Sequence, residues 1–179
     1  MSTPTPSTIN QPAEHPANEA PQQFVVFTLS GQRYALDIMM VREIRMVSAI
    51  TRLPGAAEFM RGIINLRGTI VPIFDLRKRF GLGETDIFQG NQLTVVIADV
   101  AGSVTGLLVD EVQDILTLPD GAVSPIPSTD SAHRNPFFKG LASHAGEMMI
   151  VVDLNQSIPA VSPGAIGWMG PEIREAAHA

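Results

Sequence analysis

Cysteine is absent from the 179 residues, which excludes disulfides, thiolate metal sites and cysteine nucleophiles together. Aromatic polar residues are nearly absent too: one Trp and one Tyr are too few for a platform that stacks nucleic-acid bases. Positive charge is scarce, with 12 Lys and Arg against 18 Asp and Glu and a net charge of −6. Nucleic acid and anionic lipid call for a basic surface, so neither is expected as a general partner. No apolar run approaches the roughly 20 residues of a membrane-crossing helix. The N-terminal stretch MSTPTPSTINQPAEHPANEAPQQ has no basic start followed by an apolar segment, so no export signal is read there. A cytoplasmic protein without direct membrane insertion is the expectation.

Catalytic signatures are also missing. The chain has no G-x-S-x-G elbow, no phosphate-cradling glycine loop and no G-x-G-x-x-G after a strand, so no enzymatic activity is expected. His15, His133, His144 and His178 have no second ligand at a chelating interval, and no metal or other cofactor is expected. Asp110 and Glu111 are adjacent; on a strand they would face opposite sides and could not share a proton.

What the chain does have is a sentence stated twice. FMRGIINLRGTIVPIFDL (Phe59 to Leu76) is answered 78 positions later by FFKGLASHAGEMMIVVDL (Phe137 to Leu154). A second correspondence, displaced by 70 to 71 positions, sets FVVFTL-SGQ-RYALDIMMVREI against TVVIADV-AGS-VTGLLVDEVQDIL. It aligns Gly31 with Gly102, Val41 with Val112, Glu43 with Asp114 and Ile44 with Ile115. An internal duplication therefore spans most of the chain.

Short apolar runs punctuated by Gly and Pro, with little 3.6-residue periodicity, predict an all-β fold of two small five-stranded antiparallel barrels packed together, with short helical turns. The first barrel is placed at about residues 23–88 and the second at about 89–158. Residues 1–22, rich in Pro, Ser, Thr, Asn and Gln, are expected to be a mobile tail. Residues 159–179, with Trp168, form a second tail. The halves differ in charge: residues 23–88 hold nine Arg and Lys against six Asp and Glu, and residues 89–158 hold two against eight. Barrels this small fill their interiors with side chains, so function is expected on outer faces or between the barrels.

Residues common to both copies read as scaffold. Gly62 and Gly140, and Gly68 and Gly146, suit positive φ or close backbone approach; Asp75 and Asp153 suit caps where a strand hands over to a helical turn. Arg77-Lys78-Arg79-Phe80 reads as a solvated helical turn. Residues of one copy only are candidates for function. Asn65-Leu66-Arg67 stands where the second copy has Ser143-His144-Ala145, so a Glu43 to Arg67 ion pair is possible in the first copy alone. Val41, Ile44 and Met46 around it are expected to leave apolar surface.

The block G-x-x-N-L-R-G-x-x-x-P-x-x-D-L-R, with FVVFTLSGQRYALDIMMVREI before it and VVIADVAGSVTGLLVDEVQDIL after it, closely resembles the CheW-type coupling proteins of bacterial chemotaxis over about residues 23–158. The resemblance implies two SH3-like barrels and a non-enzymatic adaptor joining chemoreceptors to the histidine kinase CheA, with swimming or a related surface-motility system as the setting. It implies as partners the kinase regulatory domain, the cytoplasmic tips of methyl-accepting receptors, and further copies of the chain in rings. Carried onto this sequence, it assigns coupling to Glu43 and Arg67. It places Val41, Ile44, Gly62 and Asn65 on one side of a receptor groove between the barrels, and Val104, Gly106 and Leu108 on the other.

Overall fold

Four hairpins form in the computed structural model, which describes residues 20–85, 93–127 and 136–159. They are β1 (Gln22–Leu29) with β2 (Gln32–Asp37), β4 (Met60–Leu66) with β5 (Thr69–Asp75), β6 (Leu93–Val100) with β7 (Ser103–Val109), and β9 (Phe138–His144) with β10 (Glu147–Val152). Single strands β3 (Val41–Val47) and β8 (Glu111–Leu118) follow the first and third hairpins. Each hairpin turns through two residues at positive φ: Ser30 and Gly31, Arg67 and Gly68, Ala101 and Gly102, Ala145 and Gly146. This turn twists with the strands, and glycine holds its second position without a Cβ penalty. Both predicted tails, with Trp168, His15 and His178, lie wholly or almost wholly outside the described residues, as does His133.

The strands form two five-stranded sheets. Barrel I has the order β8-β1-β2-β10-β9 and barrel II the order β3-β6-β7-β5-β4. Replacing each strand by its counterpart in the other copy converts one order into the other. The division into barrels at 23–88 and 89–158 is therefore corrected: each repeat places its leading hairpin in the barrel completed by the other repeat. Local sequence pattern specifies hairpins but not which distant strand lies beside them. Nor is the pairing purely antiparallel, since β2 meets β10 and β5 meets β7 in parallel.

Equivalent registers confirm the pseudo-symmetry. Glu43 lies opposite Ile97, as Asp114 lies opposite Val26; Ile73 lies opposite Gly106, as Val151 lies opposite Ala35.

Three apolar clusters follow from this arrangement. Phe24, Val26, Ala35 and Met149 belong to the interior of barrel I, and Val71, Ile73, Val95 and Ile97 to that of barrel II. Between the sheets, Phe27, Leu29, Leu36, Phe74, Leu107 and Val152 build a shared core. Strand β1 is buried on both faces over Phe24 to Phe27, which is why FVVF is continuously apolar rather than alternating.

Each barrel closes through one backbone bridge. Thr51 and Ile63 exchange hydrogen bonds of 2.9 and 2.8 Å, and Ser124 and Leu141 exchange two of 2.8 Å. Gly62 and Gly140 stand beside these closures. A Cβ on Gly62 would lie 2.1 Å from the Thr51 carbonyl oxygen, and one on Gly140 would lie 2.5 Å from that of Ser124. Asp75 and Asp153 cap α1 (Leu76–Arg79) and α2 (Leu154–Ser157), accepting from backbone N–H groups in the first turns.

The basic run after Asp75 is not a solvated turn. Arg77 pairs with Asp110, at the bend where the chain leaves barrel II for barrel I, and Asp110 also accepts from the Ser30 N–H at 2.7 Å. The hydrogen bond that Arg77 donates to the accepting Asp110 carboxylate raises the Arg77 pKa above its ordinary value. The Arg79 guanidinium lies between the rings of Phe59 and Phe137, 4.5 and 4.4 Å from their centroids, and its Nε donates to the Ser157 carbonyl at 2.5 Å. Phe59 and Phe137 are counterparts in the two repeats, so Arg79 ties the copies together on their pseudo-two-fold axis.

Gly62→Ala is expected to destabilise the protein by about 3 kcal/mol or more, because the new methyl meets backbone at φ +142°. Gly68→Asn, in open space, is expected to cost less than about 1 kcal/mol. Urea unfolding midpoints of the two variants check the contrast.

Candidate protein-binding face

Strand β3 is an edge of barrel II and is largely solvent-facing. Its two-residue period divides its side chains. Ile44 and Met46 lie on the outer face, 41% and 62% exposed, while Arg42 sits at a bulge between Val41 and Glu43 and lines the same cleft as Glu43. Glu43 and Val47 turn toward the barrel, Val47 packing against its interior. The Glu43 carboxylate accepts from Arg67 Nη2 at 3.2 Å and lies 4.0 Å from Arg45 Nε. Arg67 reaches it from the β4–β5 turn. The ion pair expected from the duplication is thus formed, but on the opposite side of β3 from the exposed Ile44 and Met46.

Arg67 has φ of 52°, an uncommon conformation for a residue with a Cβ. Ser30, Ala101 and Ala145 share it in the other three turns, so it belongs to the hairpin and not to a special role of Arg67. Asn65 is exposed and its Oδ1 accepts from the Gly68 N–H at 2.7 Å; Asp99 does the same for Gly102 at 2.9 Å. Asn65 therefore braces its turn. Asp99 also accepts from Arg42 Nη2 at 2.6 Å, and this bond is the largest cause of a pKa below the usual carboxylate range.

The remaining candidates divide sharply. Val41 is half-buried against the shared core. Gly62 is buried at the barrel closure and has no surface to offer a partner. Gly106 and Leu108 are buried inside barrel II, where a Cβ on Gly106 would lie 2.3 Å from Ile73 Cδ1. They do not line a groove from a separate barrel, because β7 pairs within the sheet that also holds Glu43 and the strands flanking Arg67. Val104 is half-buried and lines an open cleft of about 330 Å³ with Glu43 and Arg67. Arg42 was not singled out from sequence, although the same comparison of copies, with Gln113 as its counterpart, marks it as it marked Arg67.

Regrouping charges by barrel keeps the contrast between halves. Residues 38–85 and 93–109 hold eight Arg and Lys against five Asp and Glu, net +3; residues 20–37, 110–127 and 136–159 hold two against seven, net −5. Ile115, counterpart of Ile44, is 49% exposed on edge strand β8, so the acidic barrel presents an equivalent apolar position. Among the described residues no helix is long and apolar enough to cross a membrane.

Two pseudo-symmetric SH3-like barrels with filled interiors and exposed apolar edge strands define a scaffold-type module. Residues 23–161 match the CheW-like domain. The chain is 34% identical over 148 residues to the chemotaxis protein CheW of Rhizobium meliloti, covering 83% of this chain and 94% of that one. To the chemotaxis protein CheW of Klebsiella aerogenes it is 33% identical over 135 residues, covering 75% and 80%. The crystal structure of the scaffolding protein TtCheW from Thermoanaerobacter tengcongensis superposes with a TM-score of 0.67 at 35% identity, covering 75% of this chain and 90% of that one. The chain belongs to the CheW-like family, and it is a chemotaxis coupling adaptor.

Arg67→Ala gives the first copy the residue the second copy already carries at the same φ. With 74% of its side chain exposed, Arg67 is expected to change unfolding free energy by less than about 1 kcal/mol, measurable by chemical denaturation.

Proposed function

We propose that this adaptor joins the cytoplasmic tips of methyl-accepting chemoreceptors to the regulatory domain of the histidine kinase CheA, without catalysis of its own. It works in the cytoplasm, is recruited to the inner face of the membrane through the receptors, and forms rings with kinase domains and further copies of itself. The observation that carries this reading is the asymmetry of the duplication. Glu43 and Arg67 pair on the barrel side of β3, the strand whose other side exposes Ile44 and Met46, while the other barrel has Asp114 and Ala145 at those places. Because such an exposed pair contributes little to folding, its use lies in orienting a contact surface.

A second setting is kept by the 31% identity over 106 residues to protein FrzA of Myxococcus xanthus, which covers 56% of this chain. In that reading the same architecture couples receptors to a kinase in a related chemosensory or surface-motility system.

Co-sedimentation with receptor-containing membranes, with and without kinase, tests the adaptor reading. Association is expected in both cases and is expected to be stronger with kinase; no association in either case overturns it. Arg67→Ala is expected to fold normally and to lower receptor-dependent kinase activation about tenfold, the scale of one lost charge-assisted contact. Undiminished activation by the folded variant removes Arg67 from the coupling surface.

A further inference from the structure

The polar side-chain ties between repeat 1 (residues 23–88) and repeat 2 (residues 89–158) all run the same way. Among the described residues, Arg33 pairs with Glu147, Arg42 with Asp99 at 2.6 Å and Arg77 with Asp110 at 2.6 Å, and Arg79 donates to the Ser157 carbonyl. Each cation belongs to repeat 1 and each acceptor to repeat 2. Two further ties share this direction: Gln23 donates to Thr117, and the Ser30 N–H donates to Asp110. The other ion pairs among the described residues lie within repeat 1. None of the three cross-repeat ion pairs has a pseudo-symmetric twin. Their counterparts are Val104 with Thr69, Gln113 with Thr28, and Asn155 with Met39, which carry no charge. The duplicated fold therefore does not require these bonds; they tell one repeat from the other. The charge division along the chain, nine cations to six acids in repeat 1 and two to eight in repeat 2, has the same sense.

We infer that each repeat selects the opposite repeat by charge, between copies as well as within one, so that two chains can exchange repeats and complete each other's barrels. Pairing of like repeats is disfavoured. Two copies of repeat 1 would set Arg33, Arg42 and Arg77 against Thr69, Thr28 and Met39, and two copies of repeat 2 would leave Glu147, Asp99 and Asp110 equally without a cation. Each exposed pair is weak by itself, but selection depends on the difference between right and wrong partners. The partner that fits is a second copy of this chain, because every strand pairing that crosses between repeats is non-covalent. The repeats are joined covalently only between Thr85, which Asp75 holds on repeat 1, and Leu93, where β6 begins. Exchange therefore alters the path of that connection and leaves the barrels as they are. A short connection holds its ends at an effective concentration of about 1 mM, so the unaltered chain is monomeric at micromolar levels. The inference goes beyond the adaptor reading and takes nothing from it.

Two full-length variants test it. One carries Arg33→Glu with Arg42→Glu, the other Asp99→Arg with Glu147→Arg, so each sets like charges against each other within its own chain. Alone, each is expected to melt about 5 °C below the unaltered chain and to be monomeric at about 50 µM. Unfolded in urea and refolded together at that concentration, they are expected to give a species of twice the chain mass by light scattering, containing both variants. One of its units has the native signs and the other has every sign reversed, so both are complementary, and the lost melting temperature is expected to return. A single chain with all four substitutions is expected to be monomeric and to recover at least half of the loss. Where a variant alone does not fold, the mixture and the four-substitution chain still decide. A mixture that stays at one chain mass, or a dimer that forms as readily from one variant alone, overturns the inference. So does an unchanged melting temperature in both double variants, or no recovery in the four-substitution chain.

Discussion

Strand pairing between the repeats is the constraint on which the rest of the structure depends. β1 on β8 and β3 on β6 are interactions between distant parts of the chain, and neither barrel has five strands without them. A hairpin alone is marginal in water, so each leading hairpin is stable only where the other repeat receives it. The shared core follows from that exchange. Residues such as Phe27, Leu36, Phe74 and Leu107 lie between sheets that each contain strands of both repeats.

Much of this was legible in the chain because repeats and two-residue turns are local signals. The glycines at 31, 68, 102 and 146 marked the turns, Asp75 and Asp153 marked the caps, and the missing Arg in the second copy anticipated the Glu43 to Arg67 pair. The allocation of strands to barrels was not legible, since hydrophobic pattern says that a strand is buried and not what lies beside it. One clue was available: the unbroken FVVF run shows burial on both faces, which a barrel with one wet side does not provide. Gly106 and Leu108 were misplaced for the same reason, since they sit in a strand whose barrel was assigned by chain order. Arg77 and Arg79 looked like solvent-facing charge because their partners, Asp110 and Ser157, are remote in sequence.

The face that distinguishes this protein is built from small departures between nearly equal halves. Barrel II keeps the shared turn geometry but puts a guanidinium on it. It keeps the shared register but replaces a methionine by a valine behind it. Barrel I carries most of the acidic charge and presents Ile115 where barrel II presents Ile44. A fold with two equivalent ends of opposite charge can offer each end to a different neighbour, which is what an adaptor needs, and electrostatic complementarity acts there mainly on encounter rate and on choice of partner.

The position of Arg79 between Phe59 and Phe137 bears on why both repeats sit in one polypeptide. Were the same architecture assembled from two identical chains, every residue would occur twice about the symmetry axis, and two guanidinium groups would compete for the one slot between the rings. Joining the repeats removes that conflict: the counterpart position became Ser157, whose carbonyl accepts the arginine instead of opposing it. A seam that identical subunits could close only by self-complementary contacts is closed here by an unlike pair.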